Sequence, residues 1–178
     1  GAVVSTAQEL KDAVAANKET ICVYGNINYF ENETITLKSN QKLVGTEYFT
    51  GYTGKERYSR LNLSGTQATG ISCGTNSVLS DLDINIDSGN ATKVNGIVIG
   101  RGEIKNLDIN HTVNQAITAG TVQGVISVIG ETNINGIVNN RTNMSKLIVR
   151  ATSTSFFGNK SHTTKIEKKT DDITIDSV

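Results

Sequence analysis

One pattern occurs twice in this chain, first as Leu79-Ser80-Asp81-Leu82-Asp83-Ile84 and again as Ile104-Lys105-Asn106-Leu107-Asp108-Ile109. Apolar and polar side chains alternate at the end of both segments. A period of two predicts a β-strand that points its Leu and Ile toward a core and its Asp toward solvent. Residues that favour turns, namely Gly, Asn, Thr and Ser, bound these segments. We therefore predict short strands that are buried on one face.

Apolar positions also recur along the chain at a fixed interval. With a step of 20 residues, one series comprises Ile97, Ile117, Ile137 and Phe157, and a second comprises Ile109, Ile129 and Val149. Repeats made of helix pairs are longer, whereas two or three short strands per repeat suit one coil of a solenoid. We therefore predict an all-β fold, a single-stranded right-handed parallel β-helix with about 20 residues per coil. The absence of Pro agrees with interior strands that donate every N–H.

The first residues of the chain follow a different period. Thr6 and Glu9 form a capping box, and the apolar residues after it are spaced as in a helix. This pattern predicts an amphipathic helix over about residues 6–16 that caps the end of the solenoid. We predict one domain over 1–178, with the cap at 1–18, coils at 19–157, a loop insertion at 46–60, and a polar tail with one last strand at 158–178. We expect the native protein to be longer.

Composition excludes several classes of function. The chain holds 17 basic and 17 acidic residues, and this zero balance argues against nucleic-acid binding. No apolar run approaches the roughly 18–20 residues of a membrane-spanning helix. Cys22 and Cys73 match no zinc or redox motif and lie in apolar runs. Two buried thiols are favoured, and a disulfide stays open because it depends on the distance between the two residues.

The segment 46–60 interrupts the strand pattern and is rich in aromatic and basic residues. Aromatic rings stack on sugars, and Tyr with Arg dominates many protein contacts. Since loops on rigid scaffolds often carry recognition, we predict ligand binding there. The predicted ligand-binding residues are Tyr48, Tyr52, Tyr58, Arg57 and Arg60. The alternative is a flap whose rings pack back onto the outer surface of the coils.

Three acidic residues are predicted to point outward from the strands, namely Asp81, Asp83 and Asp108. Asp83 and Asp108 occupy the same position of the repeat, so their carboxylates should lie about 5 Å apart and repel each other. Oxygen ligands of this kind suit Ca²⁺, which gives a calcium site as one hypothesis. The alternative is an ordinary solvated polar face.

Three segments of the chain resemble one superfamily. These are residues 3–14 (VVSTAQELKDAV), 20–27 (TICVYGNI) and 35–45 (ITLKSNQKLVG). They are similar to the capping helix, first strand and second turn of the right-handed parallel β-helix superfamily of pectate lyases. Similar modules occur as passenger parts of autotransporters and inverse autotransporters. The resemblance implies a β-helix that acts as a stalk or an adhesin on a bacterial cell surface.

Two functions follow as hypotheses. The first is an extracellular or cell-surface module that binds a surface glycan or a host protein and needs no cofactor. The second is a polysaccharide lyase, or its inactive remnant, with Asp81, Asp83 and Asp108 on a cation and Arg101 as a base or a charge clamp. A lyase of the family is expected to carry Trp-x-Asp-His and Pro-x-Arg segments. The chain contains neither Trp nor Pro, which favours the non-enzymatic hypothesis.

Overall fold

The structure is a computed structural model. It describes residues 1–51, 57–67, 69–89, 94–99, 102–105, 107–112, 122–128, 131–135, 139–142, 146–150, 153–157, 163–169 and 172–177. Within these residues the fold is strand-rich, with two short helices, α1 (Ala7–Ala15) and α2 (Glu47–Thr50). This composition of elements confirms the prediction at the level of an all-β class.

The strands form three sheets that are largely parallel. The first sheet contains, in spatial order, β1 (Ala2–Val4), β2 (Thr20–Val23), β5 (Lys42–Gly45), β8 (Ser77–Ser80), β11 (Gly102–Lys105), β14 (Glu131–Asn135) and β17 (Ser153–Phe157). The second contains β3 (Gly25–Asn28), β6 (Ser59–Ser64), β9 (Asp83–Asp87), β12 (Asp108–Thr112) and β15 (Asn139–Thr142). The third contains β4 (Ile35–Leu37), β7 (Thr69–Cys73), β10 (Val94–Ile99), β13 (Val122–Val128), β16 (Lys146–Arg150), β19 (Asp172–Ser177) and β18 (Thr163–Lys169).

Successive strands enter these sheets in rotation. From β2 to β16 the chain adds one strand to the first sheet, then one to the second and one to the third. We call each such set of three strands a round, and β2, β3 and β4 form the first. Strands of neighbouring rounds pair in parallel, as when Leu79 pairs with Ile104 and Ile84 with Ile109. Both pairings join the repeated segments, and the predicted alternation of burial is seen on β9, where Ile84 and Ile86 are buried and the residues that alternate with them are less so.

The predicted interval of 20 residues is wrong. In the first sheet Ile21 pairs with Leu43 and Leu43 with Leu79, which are steps of 22 and 36 residues. The spacing varies because the loops between strands differ in length, and the longest step contains the segment 46–60. Equal distances along the sequence therefore do not mark stacked positions.

Both predicted series of stacked positions fail for the same reason. Phe157 lies in the first sheet, whereas Ile97 lies in the third and pairs with Ile71 and Ile126. Val149 pairs with Ile126 in the third sheet, whereas Ile109 belongs to the second. Residues 117, 129 and 137 lie outside the described part of the chain.

The core is built from apolar side chains that stack between rounds. The most deeply buried residues lie in register within each sheet, which places one apolar column inside each. These columns are Ile21, Leu43, Leu79 and Ile104 in the first sheet, Ile27, Leu61 and Ile84 in the second, and Ile35, Ile71 and Ile97 in the third. Burial of each side chain stabilises the fold by roughly 1.5–3 kcal/mol.

The predicted capping helix forms. Thr6 is its N-cap, with Thr6 Oγ1 accepting from Glu9 N at 3.1 Å, while Ser5 N donates to Glu9 Oε1 at 3.1 Å. Leu10 and Ala13 are buried and join the core cluster. The helix therefore covers apolar side chains of the first round, as its amphipathic pattern indicated.

Two predicted boundaries need correction. The insertion 46–60 ends earlier, because Ser59 and Arg60 already belong to β6. The tail 158–178 contains two strands, since β18 pairs antiparallel with β19. The predicted last strand lies within β19, and the polar residues of β18 form a strand because their backbone pairs with it.

Candidate functional site

The outer face of the second sheet carries polar side chains in columns that cross its strands. One column, which we call the amide column, consists of Asn28, Asn62 and Asn85, in register on β3, β6 and β9. Asn62 Nδ2 donates to Asn28 Oδ1 at 2.9 Å, and Asn85 Nδ2 donates to Asn62 Oδ1 at 3.0 Å. These hydrogen bonds fix the orientation of the three amides along the face of the sheet.

A charged pair lies beside the amide column. Arg60 pairs in register with Asp83, and Arg60 Nε lies 3.5 Å from Asp83 Oδ2. The structure thus brings together a predicted ligand-binding residue and a predicted calcium ligand. Because the two side chains are 48% and 16% exposed, the ion pair contributes at most about 1 kcal/mol. Asp83 nevertheless has a cationic neighbour supplied by the protein itself.

The three predicted calcium ligands do not form one outward group. Asp81 is buried, its Oδ2 accepts from Ser80 Oγ, and its φ of 59° places it in a turn before β9. That turn interrupts the strand alternation, so the prediction that Asp81 points outward is wrong. Asp108 pairs in register with Asp83, and its side chain lies outside the described ones. Among the described residues no group of three or more His, Cys, Asp or Glu could hold a metal ion, and calcium binding stays a prediction.

Two exposed aromatic side chains lie at neighbouring positions on the edge of the second sheet where its strands begin. Tyr24 and Tyr58 precede the paired residues Gly25 and Ser59, and they are 58% and 68% exposed. Phe49 is 63% exposed and packs edge to face on Tyr48, with ring centroids 5.1 Å apart. We call Tyr24 and Tyr58 the aromatic patch, whereas Tyr48 and Phe49 belong to α2 in the insertion. Large exposed apolar side chains that lie close together are typical of contact surfaces.

The remaining predicted ligand-binding residues have different positions. Arg57 Nη1 donates to the carbonyl of Leu82 at 2.7 Å, so its guanidinium ties the end of the insertion to the neighbouring round. This hydrogen bond gives Arg57 a structural role. Tyr52 and Arg101 lie outside the described residues.

The first part of the insertion covers the outside of the first sheet. Cys22 and Val44 are buried, yet both are absent from the apolar core cluster, because they alternate with the inward residues Ile21 and Leu43. Glu47 of α2 is also buried and lies close enough to Cys22 for its charge to help raise the pKa of that thiol. We call residues 46–51 the covering segment. The flap alternative therefore describes this part of the insertion, although Phe49 and Tyr48 stay exposed.

The two cysteines are free and buried, as the sequence favoured. Cys73 belongs to the core cluster, and burial raises its pKa to about 12. Burial also raises the pKa of Cys22, and the Glu47 carboxylate raises it further. Both thiols are therefore neutral at physiological pH and poor nucleophiles.

A groove of about 400 Å³ lies along the amide column. Its polar lining consists of the three amides together with Ser64 and Asp87, and Tyr29 lies on its wall. Sequence reasoning missed this groove and also missed Tyr24. The amides could have been found, because each Asn alternates with a buried Ile or Leu, as in Leu61-Asn62-Leu63. Tyr24 carried no such signal, since its exposure depends on the turn at Gly25.

Comparisons with known proteins identified no relative of this chain. No protein-family model, curated protein or solved structure matches this chain. In the part of the chain that the structure describes, none of the helices has the length and apolar character needed to cross a membrane.

Proposed function

We propose that this chain is a right-handed parallel β-helix module of a bacterial cell-surface protein, and that it acts as an adhesin or stalk with a binding surface at the aromatic patch. The observation that carries this proposal is the exposure of Tyr24 and Tyr58 at neighbouring positions of one sheet edge. Two large rings in adjacent rounds give a rigid surface that loses little entropy when it binds a partner.

The β-helix part of the proposal is supported by the rotation of strands through three sheets. Rotation with parallel pairing between rounds is what a chain does when it winds repeatedly about one axis. Connections between parallel strands of one sheet are right-handed in nearly all proteins, and this rule gives the handedness. A winding of this kind provides a stiff support on which a loop can present side chains to a partner.

The binding part is supported by the chemistry of the patch. Tyr rings offer an apolar face for a sugar or a protein side chain and a hydroxyl for a hydrogen bond. Arg60 lies one outward position after Tyr58 on β6 and is 48% exposed, so a cation flanks the rings. Aromatic residues with Arg are enriched where binding energy concentrates. The expected partner is a surface glycan or a host protein, and the expected location is the outside of the cell.

The experiment compares binding by the wild-type chain and by patch variants. The double variant Tyr24→Ala, Tyr58→Ala should lose at least about tenfold in binding to a glycan array or to host cells, because truncated hot-spot residues cost 2 kcal/mol or more (roughly 30-fold each) at many interfaces. The matched control is Tyr24→Phe, Tyr58→Phe, which keeps both rings and should retain most of the binding. Circular dichroism and a thermal melt verify that each variant is folded.

Binding that survives loss of both rings without change would overturn the role of the aromatic patch. A chain that binds neither the glycans nor the cells would contradict the adhesin proposal as a whole. Loss of binding in the Ala variant together with retention in the Phe variant would support it.

A further inference from the structure

The groove beside the amide column holds hydrogen-bonding groups that the protein leaves unused. Asn28 accepts from Asn62 through Oδ1, while within the described residues neither of its two amide N–H groups has an acceptor. Asn85 donates one N–H to Asn62, and among the described side chains its second N–H has no acceptor. Both N–H groups of Asn62 are taken, by Asn26 at 2.7 Å and by Asn28 at 2.9 Å. The column therefore presents donors at its two ends and a satisfied amide between them.

These donors are held in place before any ligand arrives. Asn28, Asn62 and Asn85 lie in successive rounds, so adjacent amides are separated by the strand spacing of about 4.8 Å. Their mutual hydrogen bonds restrict the side-chain rotamers, which reduces the entropy lost on binding. A ligand with polar groups repeating at a similar distance would meet one amide in each round.

Acceptors and an apolar wall complete the lining. Asp87 is exposed and uses Oδ1 to accept from Gly89 N at 3.1 Å, while within the described residues its Oδ2 has no donor. Ser64 pairs in register with Asp87 and adds a hydroxyl that can donate or accept. Tyr29, which is only 9% exposed, also lines the groove. The volume of about 400 Å³ is in the range of small-molecule sites.

The charge of this lining selects among ligands. Its one ionised group is the Asp87 carboxylate, and the charge of Asp83 in the adjacent column is paired with Arg60. An anionic ligand would be repelled, whereas hydroxyl groups can bond both to amide N–H groups and to a carboxylate. The lining therefore favours an uncharged ligand that is rich in hydroxyl groups.

We propose that the groove binds a neutral oligosaccharide, with its sugar residues lying along the amide column and their hydroxyls bonded to Asn28, Asn85 and Asp87. This inference deepens the proposed binding function and rests on it, but it uses a surface separate from the aromatic patch.

The test is a titration followed by nuclear magnetic resonance of the side-chain amides of the whole chain. The probes are cellohexaose, maltohexaose and laminarihexaose, with a galacturonic acid hexamer as the anionic comparison. At least one neutral hexamer should shift the amide signals of Asn28 and Asn85, and the acidic hexamer should not. The double variant Asn28→Ala, Asn85→Ala should bind that hexamer roughly tenfold more weakly, the loss expected for two hydrogen bonds.

The matched control is Asn26→Ala, which also removes one bond to Asn62 but lies outside the groove lining. It should bind the neutral hexamer at least as tightly as the wild type, because it frees one N–H of Asn62 and removes no group of the lining. The inference is overturned if no neutral hexamer shifts these amides, if the acidic hexamer binds as tightly, or if the double variant binds like the control. Cell binding by the Tyr24 and Tyr58 variants is measured in a separate experiment. A groove that binds no neutral hexamer would therefore leave the proposal for the aromatic patch unaffected.

Discussion

Cys73 lies in the core of the third sheet, and its burial links the stability of the protein to pH. Burial raises its pKa to about 12, whereas a thiol in the unfolded chain has a pKa of about 8.5. Between these values the folded protein keeps a proton that the unfolded chain has lost. Stability rises with pH only where the unfolded state binds more protons, so here the free energy of unfolding falls as pH rises.

We therefore predict a loss of stability above about pH 8.5, with no contribution from Cys73 below that value, because there both states hold the proton. The measurement is urea unfolding at a series of pH values, for the wild type and for Cys73→Val. The variant should show a shallower decline, and Cys22 should account for part of what remains, since its pKa is also raised. Identical slopes in the two proteins would show that Cys73 does not carry the effect.

The polar residues of the second sheet show how one position can serve two purposes. Asn62 bonds to Asn26 and Asn28 of the neighbouring round, so its amide ties the sheet together on its outer face. Asn28 also lines the groove, and in the described part of the chain its amide N–H groups have no acceptor. The same Asn side chains therefore hold neighbouring strands together and line the groove. The sequence shows only that Asn recurs.

At the scale of single elements, helix α1 depends on its capping box. Replacing Thr6 by Ala removes the oxygen that accepts from Glu9 N, and such a loss costs about 1 kcal/mol. We predict a drop of that size in the free energy of unfolding, measured with urea. Thr6→Ser keeps the acceptor and should stay within a few tenths of a kcal/mol of the wild type. Equal destabilisation by Ala and Ser would mean that the cap hydrogen bond is unimportant.

The covering segment gives a second prediction at this scale. Ser59 is buried, its Oγ accepts from Thr46 N at 3.0 Å, and its hydroxyl donates to Val23 O at 2.7 Å. Ser59→Ala leaves both backbone groups without this partner, at a cost of about 1–3 kcal/mol, and should loosen the segment. We predict faster labelling of Cys22 by N-ethylmaleimide, with Cys73 still protected in the core.

Mass spectrometry of the labelled peptides distinguishes the two thiols. The control is Ser64→Ala on the same strand, which is exposed and should leave labelling unchanged. Equal acceleration at Cys22 and Cys73 would instead indicate opening of the whole fold.

For the whole molecule, the proposed β-helix predicts that damage stays local. In a solenoid each round contacts mainly its neighbours, so stability is close to a sum of terms between adjacent rounds. Ile71→Ala removes a fully buried side chain between Ile35 and Ile97 and should cost about 2–5 kcal/mol. Hydrogen exchange should then speed up most in β4, β7 and β10, and least in β17, which lies at the far end of the first sheet.

The adjacent Ser72 supplies the control, because Ser72→Ala changes a partly exposed side chain and should alter exchange little. If hydrogen exchange speeds up equally in every described strand, the fold opens as one cooperative unit. That result would contradict a stability that is the sum of terms between adjacent rounds.

Prediction from the sequence succeeded where the information was local. Strand alternation identified Leu79 and Ile84 as inward residues, and Thr6 with Glu9 identified the cap. It failed at Asp81, where a turn with positive φ interrupts the alternation, and in the residue step between rounds. It left open the division of residues 46–60 between a flap and a binding surface, because that depends on contacts with β2 and β5.

The sequence by itself determined the alternation of buried and exposed side chains, the capping helix and the strand-rich character of the chain. These features depend on neighbouring residues, whose spacing is fixed by the geometry of strand and helix. Only the tertiary structure decided which residues stack between rounds, how Arg60 meets Asp83, and that Cys22 and Val44 are covered. Loops of unequal length set these contacts, and loop length changes the register without changing the local pattern of the strands.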